Sequence, residues 1–142
     1  MSLDIVIVER LRQHRIQPSA QRVAVAEYVL ETGEHPSADR VWDRVRNRHG
    51  GGFPMLSRAT VYNTLHLFVD RGLLRELVLA EGKVVYDPKV EPHHHFIDDD
   101  TGEIQDVPWE AVKVRDVEKL PGLEVREYQV VMRGRPTPRR RT

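Results

Sequence analysis

Three consecutive histidines, His93-His94-His95, lie in the most acidic part of the chain, where residues 83–107 carry two Lys against seven Asp and Glu. In an extended strand alternate side chains share a face. His93 and His95 then point the same way, with Cα atoms about 6.5–7 Å apart, and His94 points the other way. Two imidazoles on one face, near carboxylates, suit a divalent ion such as Mn2+, Fe2+, Co2+ or Zn2+. The competing reading is three solvated loop histidines, since exposed histidine is common. The chain has no cysteine, which excludes disulfides, thiolate zinc sites and cysteine nucleophiles.

A second candidate chemistry lies in Ser57-Arg58-Ala59-Thr60-Val61-Tyr62-Asn63-Thr64-Leu65. Val61, Leu65, Phe68 and Val69 fall at i, i+4, i+7 and i+8, the apolar stripe of a helix. Arg58, Thr60, Tyr62, Asn63 and His66 are left on exposed or flanking faces. Such side chains suit phosphate contacts, base-edge hydrogen bonds and packing on thymine methyls. An ordinary amphipathic helix with a solvated face fits the same periodicity. What favours a nucleic-acid reading is the element that follows it.

The surrounding periodicity predicts those elements. Leu3–Arg15 reads as a short amphipathic helix ended by Pro18. Ser19 caps a second helix over Ala20–Glu31, and Pro36-Ser37 opens a third with Val41, Val45 and the Trp42 ring available for a core. Gly50-Gly51-Gly52 stops it, Ser57 caps the fourth helix over Arg58–Asp70, and Gly72 is its C′ residue. The period then changes to two: Leu73–Leu79 and Lys83–Tyr86 form a hairpin through Ala80-Glu81-Gly82. Helices followed by a hairpin give the order of a winged helix, an elaborated helix-turn-helix. Beyond Pro88, His95–Ile97 and Glu103–Val107 predict two strands joined by a turn through Asp98–Gly102. Pro108 begins a short helix at Trp109, and Glu124–Met132 predicts a last strand. The fold class is α+β, with a winged helix at 1–86, a small α/β dimerisation domain at 87–134, and a basic tail at 135–142. A unit of about 45 residues buries little surface alone, so pairing with a second copy is expected.

Several ordered motifs carry a resemblance to a known family. The string from Arg58 to Leu65, with Phe68 and Gly72-Leu73-Leu74, resembles the recognition helix of ferric uptake regulator family repressors. Pro18-Ser19-Ala20-Gln21-Arg22 resembles that family's entry to its second helix, and His35-Pro36-Ser37-Ala38-Asp39 its third-helix start. The similarity runs from about Arg15 to Met132. It implies a dimeric, metal-dependent repressor in which Tyr62 and Asn63 face the major groove of operator DNA. Ser57, Arg58 and Arg22 would then approach phosphates, with Thr60 on the same face. In the peroxide-responsive branch the regulatory ion is held by a His, an Asp after the wing, a His-x-His pair and an Asp eleven residues later. His35, Asp87, His93, His95 and Asp106 match each position, which implies Fe2+ or Mn2+ as the regulatory ion, with Zn2+ able to substitute in vitro. The family's usual structural zinc is held by two Cys-x-x-Cys pairs, and Asp98 and Thr101 stand where the first pair would be. No such zinc is expected here. Pro92 and His94 also replace the usual His and Asp of a second family site.

Cysteine-free relatives with a His-His-His run offer an alternative in which His94 serves a haem. A metal-dependent hydrolase and a metal buffer without sequence recognition are further classes. The first has no recognisable base or nucleophile left over, and the second leaves the recognition helix unexplained. No run approaches the about 20 apolar residues of a membrane span, and the N-terminus lacks the basic segment of a signal peptide, so a cytoplasmic location is expected. Net charge is zero, yet residues 108–142 hold nine basic against five acidic side chains, ending in Arg139-Arg140-Arg141. That tail fits a solubilising end better than a binding site.

Overall fold

The computed structural model describes residues 3–48 and 52–138. Gly50, Gly51 and the Arg139–Arg141 run fall outside the described residues. The chain divides at Val90/Glu91 into two compact units. Asp87, which follows the boundary expected after Tyr86, is the last residue of a strand of the first unit.

In the first unit, α1 spans Leu3–Gln13, α2 Ala20–Glu31, α3 Ala38–Arg46 and α4 Arg58–Asp70. α1 stops before the expected Arg15, which adopts a left-handed φ of 60°. That turn lets the Ile16 N–H donate to the Leu11 carbonyl at 2.9 Å and buries Ile16 against the helix it leaves. Ser19, Ser37 and Ser57 cap the next three helices, each hydroxyl accepting a backbone N–H three residues on at 3.1–3.2 Å. Leu11, Val25, Val41, Val61, Leu65 and Phe68 have no exposed surface and form the centre of this unit. Side chains of this kind each stabilise by about 1.5–3 kcal/mol when fully buried. Gly72, at φ 78°, turns the chain out of α4 as expected.

The wing is β1 (Arg75–Val78) paired antiparallel with β2 (Val84–Asp87), Arg75 opposite Asp87 and Val78 opposite Val84. Its connection is a turn of 3-10 helix over Ala80–Gly82, with Glu81 at φ 64° and Gly82 at φ 74°. Leu77 and Val85 face each other across the pair, both buried.

The second unit is a three-stranded sheet in the order β4-β3-β5. β3 (His93–Asp98) pairs antiparallel with β4 (Ile104–Pro108) and parallel with β5 (Val131–Gly134). Two expectations need correction. The helix predicted at Trp109 is only a 3-10 turn, Trp109–Ala111, followed by another at Val117–Lys119. Val112, Val114 and Val117 supply β-branched side chains that lose rotamer freedom in a helix, and Asp116 sits in the left-handed region at φ 60°. The last strand is confined to Val131–Gly134, because 124–130 holds Glu124, Arg126 and Glu127, which gain nothing from a sheet face.

Candidate metal centre

In the first unit, the end of β2 meets the segment before α3. The Tyr86 N–H donates to the Pro36 carbonyl at 3.0 Å, which brings the neighbours His35 and Asp87 together. His35 Nε2 lies 3.1 Å from Asp87 Oδ2, with side chains 6% and 5% exposed. The other carboxylate oxygen, Asp87 Oδ1, accepts the Lys89 N–H at 2.9 Å and so fixes the carboxylate plane. These are two oriented metal-type donors, an imidazole and a carboxylate.

In the second unit, the register of the central strand places His95 directly opposite Asp106. Alternation puts His93 on the same face, and the two rings are 4.5 Å apart. Asp106 Oδ1 lies 3.4 Å from His93 Nε2 and 3.5 Å from His95 Nε2. His93 Nδ1 lies 2.7 Å from the Glu91 carbonyl, which can only accept, so Nδ1 carries the proton. With Nδ1 so engaged, Nε2 is the nitrogen turned toward the Asp106 carboxylate. An imidazole nitrogen and a carboxylate facing each other are both ligand types for a divalent ion, and a carbonyl behind the ring is the usual support of a metal-bound histidine. His93 and His95 thus both turn onto Asp106, three side chains of metal-ligating type on one face of the sheet.

His94 points to the opposite face, as expected from alternation. It is fully buried. Its Nδ1 accepts the Val130 N–H at 3.0 Å, and its ring stacks on Trp109 at 4.6 Å with Tyr128 beyond. The remaining nitrogen, Nε2, is also buried. Neither nitrogen is open to an iron porphyrin, so the geometry gives the haem alternative no support. The residue belongs to the packing between sheet and irregular segment.

The nucleic-acid candidates gather in the first unit. Arg58, Tyr62 and Asn63 are exposed on α4, with Tyr62 at 42%. A polar cleft of about 460 Å3 runs between the start of α2 and α4, lined in part by Gln17, Gln21, Arg22, Thr60 and Asn63. Arg22 donates to the Gln17 carbonyl at 2.8 Å, which holds its guanidinium at the cleft. Ser57 and Thr60 are engaged locally, their hydroxyls 2.9 Å apart in the helix cap. Burial pushes the Tyr86 phenol up, helped by the nearby Glu76 and Tyr62.

Residues 13–133 match the ferric uptake regulator family. The chain belongs to that family. The Peroxide-responsive repressor PerR of Staphylococcus aureus (strain Mu50) is 30% identical over 128 residues, covering 84% of this chain and 82% of its own length. The Peroxide operon regulator of Bacillus subtilis (strain 168) is 30% identical over 131 residues, 89% and 86% of the two chains. Among solved structures, the Vibrio cholerae ferric uptake regulator has a TM-score of 0.70 at 19% identity, covering 91% of this chain and 98% of its own. The Francisella tularensis ferric uptake regulator with iron has a TM-score of 0.67 at 25% identity, over 85% and 92%. Membership of the family fits an α+β chain that joins a winged helix to a small sheet unit.

The cluster of Asp39, Trp42 and Arg46 around Arg58 went unread in the sequence, where Trp42 served only as a core side chain. Its signal was the spacing of Asp39, Trp42 and Arg46 on one helical face.

Proposed function

We propose that this protein is a metal-dependent transcriptional repressor that binds operator DNA as a homodimer when Fe2+ or Mn2+ occupies a site made by His35, Asp87, His93, His95 and Asp106. The observation that carries it is the orientation of the donors within each unit: His93 and His95 turned onto Asp106, and His35 turned onto Asp87. Each unit supplies an incomplete coordination shell, and only residues 88–92 separate Asp87 from His93. A divalent cation would supply a positive centre that donors of both units can share. His35 and Asp87, carried by the winged helix, and the three donors of the sheet then fix one orientation of the recognition helix relative to its copy in the dimer. Ligand binding of that kind selects one geometry from several. Two recognition helices spaced to meet successive major grooves are the form in which helix-turn-helix dimers read DNA.

Tyr62 and Asn63 act as base readers, and Arg22 and Arg58 as phosphate contacts, with Ser57 and Thr60 shaping the helix start. Val114, Leu120 and Leu123 expose apolar surface on the small second unit, which suits burial against a second copy. No described helix is long and apolar enough to cross a membrane, and the proposed DNA-binding role would put the protein in the cytoplasm. The Staphylococcus and Bacillus relatives are named for peroxide response, which favours peroxide as the signal here, and their names, repressor and operon regulator, support a regulatory role over an enzymatic one.

The test is operator selection from random duplexes, with Mn2+ or with chelator, followed by peroxide treatment of Fe2+- and Mn2+-bound protein. Expected are metal-dependent selection of one operator, and oxygen added at His35 or His93 in the iron form alone. Selection that is indifferent to chelator overturns metal control. Equal oxygen gain in both forms, or gain only at Met55 and Met132, overturns peroxide sensing.

A further inference from the structure

Asp39, Trp42 and Arg46 lie along one face of α3, beside the start of α4. The Trp42 indole N–H donates to the Leu56 carbonyl at 2.7 Å, which fixes the ring against the loop that leads into α4. Two guanidinium groups converge on that ring: Arg46 at 3.8 Å from its centroid and Arg58 at 4.5 Å. Arg58 Nε also stands 3.7 Å from Asp39 Oδ1, and both of those side chains are 64% exposed. Arg46 Nε is buried and has no hydrogen-bond acceptor among the described residues.

Like charges repel, so two arginines on one indole require either a structural return or a ligand. The ring face attracts each cation, but one carboxylate, at a long distance in solvent, balances only one of the two charges. The residual charge sits on planar groups whose N–H forks suit a phosphate. The ring limits the freedom of both side chains before any ligand arrives. Arg58 is also the first residue of the helix that carries Tyr62 and Asn63.

We propose that Arg46 and Arg58, spread on Trp42, form a clamp for one backbone phosphate of DNA at the leading edge of α4, with Asp39 as the counter-ion that the phosphate replaces. This rests on the reading of α4 as the DNA-recognition helix. Trp42 and Asp39 are positioning residues that act through the two arginines.

The experiment uses the full Mn2+-bound protein and measures affinity for the selected operator and for a scrambled duplex across a range of salt. Arg46→Gln and Arg58→Gln should each reduce the slope of log affinity against log salt by about one, on both duplexes alike, because a phosphate carries no sequence. Trp42→Leu should weaken both complexes several-fold, and Trp42→Phe, which keeps a ring, should recover most of the loss. Asp39→Asn should tighten both, since it removes the competitor. Arg46→Gln needs no core repacking and decides the matter even if Trp42→Leu fails to fold. A wild-type slope for Arg46→Gln, or a loss confined to the operator, overturns the clamp while Tyr62→Ala and Asn63→Ala still report the helix. Inorganic phosphate titrated alone at matched ionic strength is the remaining arm. Binding that Arg46→Gln abolishes, with the DNA slope unchanged, would assign the site to a free anion and overturn the backbone assignment. If the wild type selects no operator, the reading of α4 and the clamp fall together.

Discussion

His94→Ala separates packing from coordination in the histidine run. The side chain it removes is fully buried. Val130 N–H, 3.0 Å from Nδ1, would lose its acceptor, and an unsatisfied buried N–H costs about 1–3 kcal/mol. The stack on Trp109 at 4.6 Å is an aromatic pair of the kind that contributes about 0.5–1.5 kcal/mol beyond area. The vacated ring adds on the order of 1–2 kcal/mol as an incompletely collapsed cavity. One effect opposes these: His94 Nε2 is itself buried without a partner among the described residues, and its removal returns about 1–3 kcal/mol. The balance is a loss of about 2–3 kcal/mol, a large share of the roughly 5–15 kcal/mol that holds a domain folded. Urea unfolding in chelator should therefore show a clearly lower midpoint for His94→Ala. Mn2+ titration of the folded variant should give an affinity within about tenfold of wild type, whereas His95→Ala should lose more than the roughly 10–100-fold that loss of a supporting partner costs. A wild-type urea midpoint, combined with an Mn2+ affinity as poor as that of His95→Ala, would refute the assignment of His94 to packing.

Tyr62→Ala and Asn63→Ala should each relax operator preference by about 1–3 kcal/mol, and Arg22→Gln should weaken all duplexes alike with a flatter salt dependence; competition binding across salt checks both. Because no cysteine-held zinc exists to maintain the assembly, the protein should remain dimeric in strong chelator, and light scattering that reports a monomer would contradict this. Glu27, ion-paired with Arg48 and 10% exposed, is held above its ordinary carboxyl value of 4.5 by the hydrogen bond its protonated form donates to the Asp4 carboxylate and by burial, against the lowering influence of Arg48. A raised folded value means that the stabilising contribution is complete below 4.5 and is lost as pH climbs through the raised value. Glu27→Gln should flatten the fall in stability over that window, and identical urea midpoints against pH for variant and wild type would rule the effect out.

Local chemistry with a short sequence range was legible. Serine caps at 19 and 57, the opening of α3 at Ser37, the four-residue apolar spacing of α4 and the two-residue alternation that separates His94 from its neighbours all act within a turn or a strand, and all appear as read. Features that depend on distant partners were not. Whether Val112, Val114 and Val117 continue a helix begun by Pro108 depends on what they pack against, and here the chain breaks into two isolated turns. The Arg58–Trp42 contact joins residues 16 apart in sequence through a loop whose path no periodicity specifies. The inward turn of His35 onto Asp87 spans 52 residues and became readable only through family resemblance, not from the spacing of the two residues.

The last strand also sets an order of events during synthesis. β3 cannot take its final form until Val131–Gly134 exist, because His95 N–H donates to the Val130 carbonyl at 3.0 Å and His94 Nδ1 waits for the Val130 N–H. The winged helix needs nothing beyond Val90 to complete its own core. At ribosomal speeds of about 5–20 residues per second, some 2–9 seconds separate the two completions. A nascent chain therefore completes the winged helix that carries the proposed DNA-reading residues before the sheet that carries the proposed donors His93, His95 and Asp106. Under the proposed function, growing chains pass through an interval in which that winged helix could meet DNA without the full donor set that would make the encounter answer to metal.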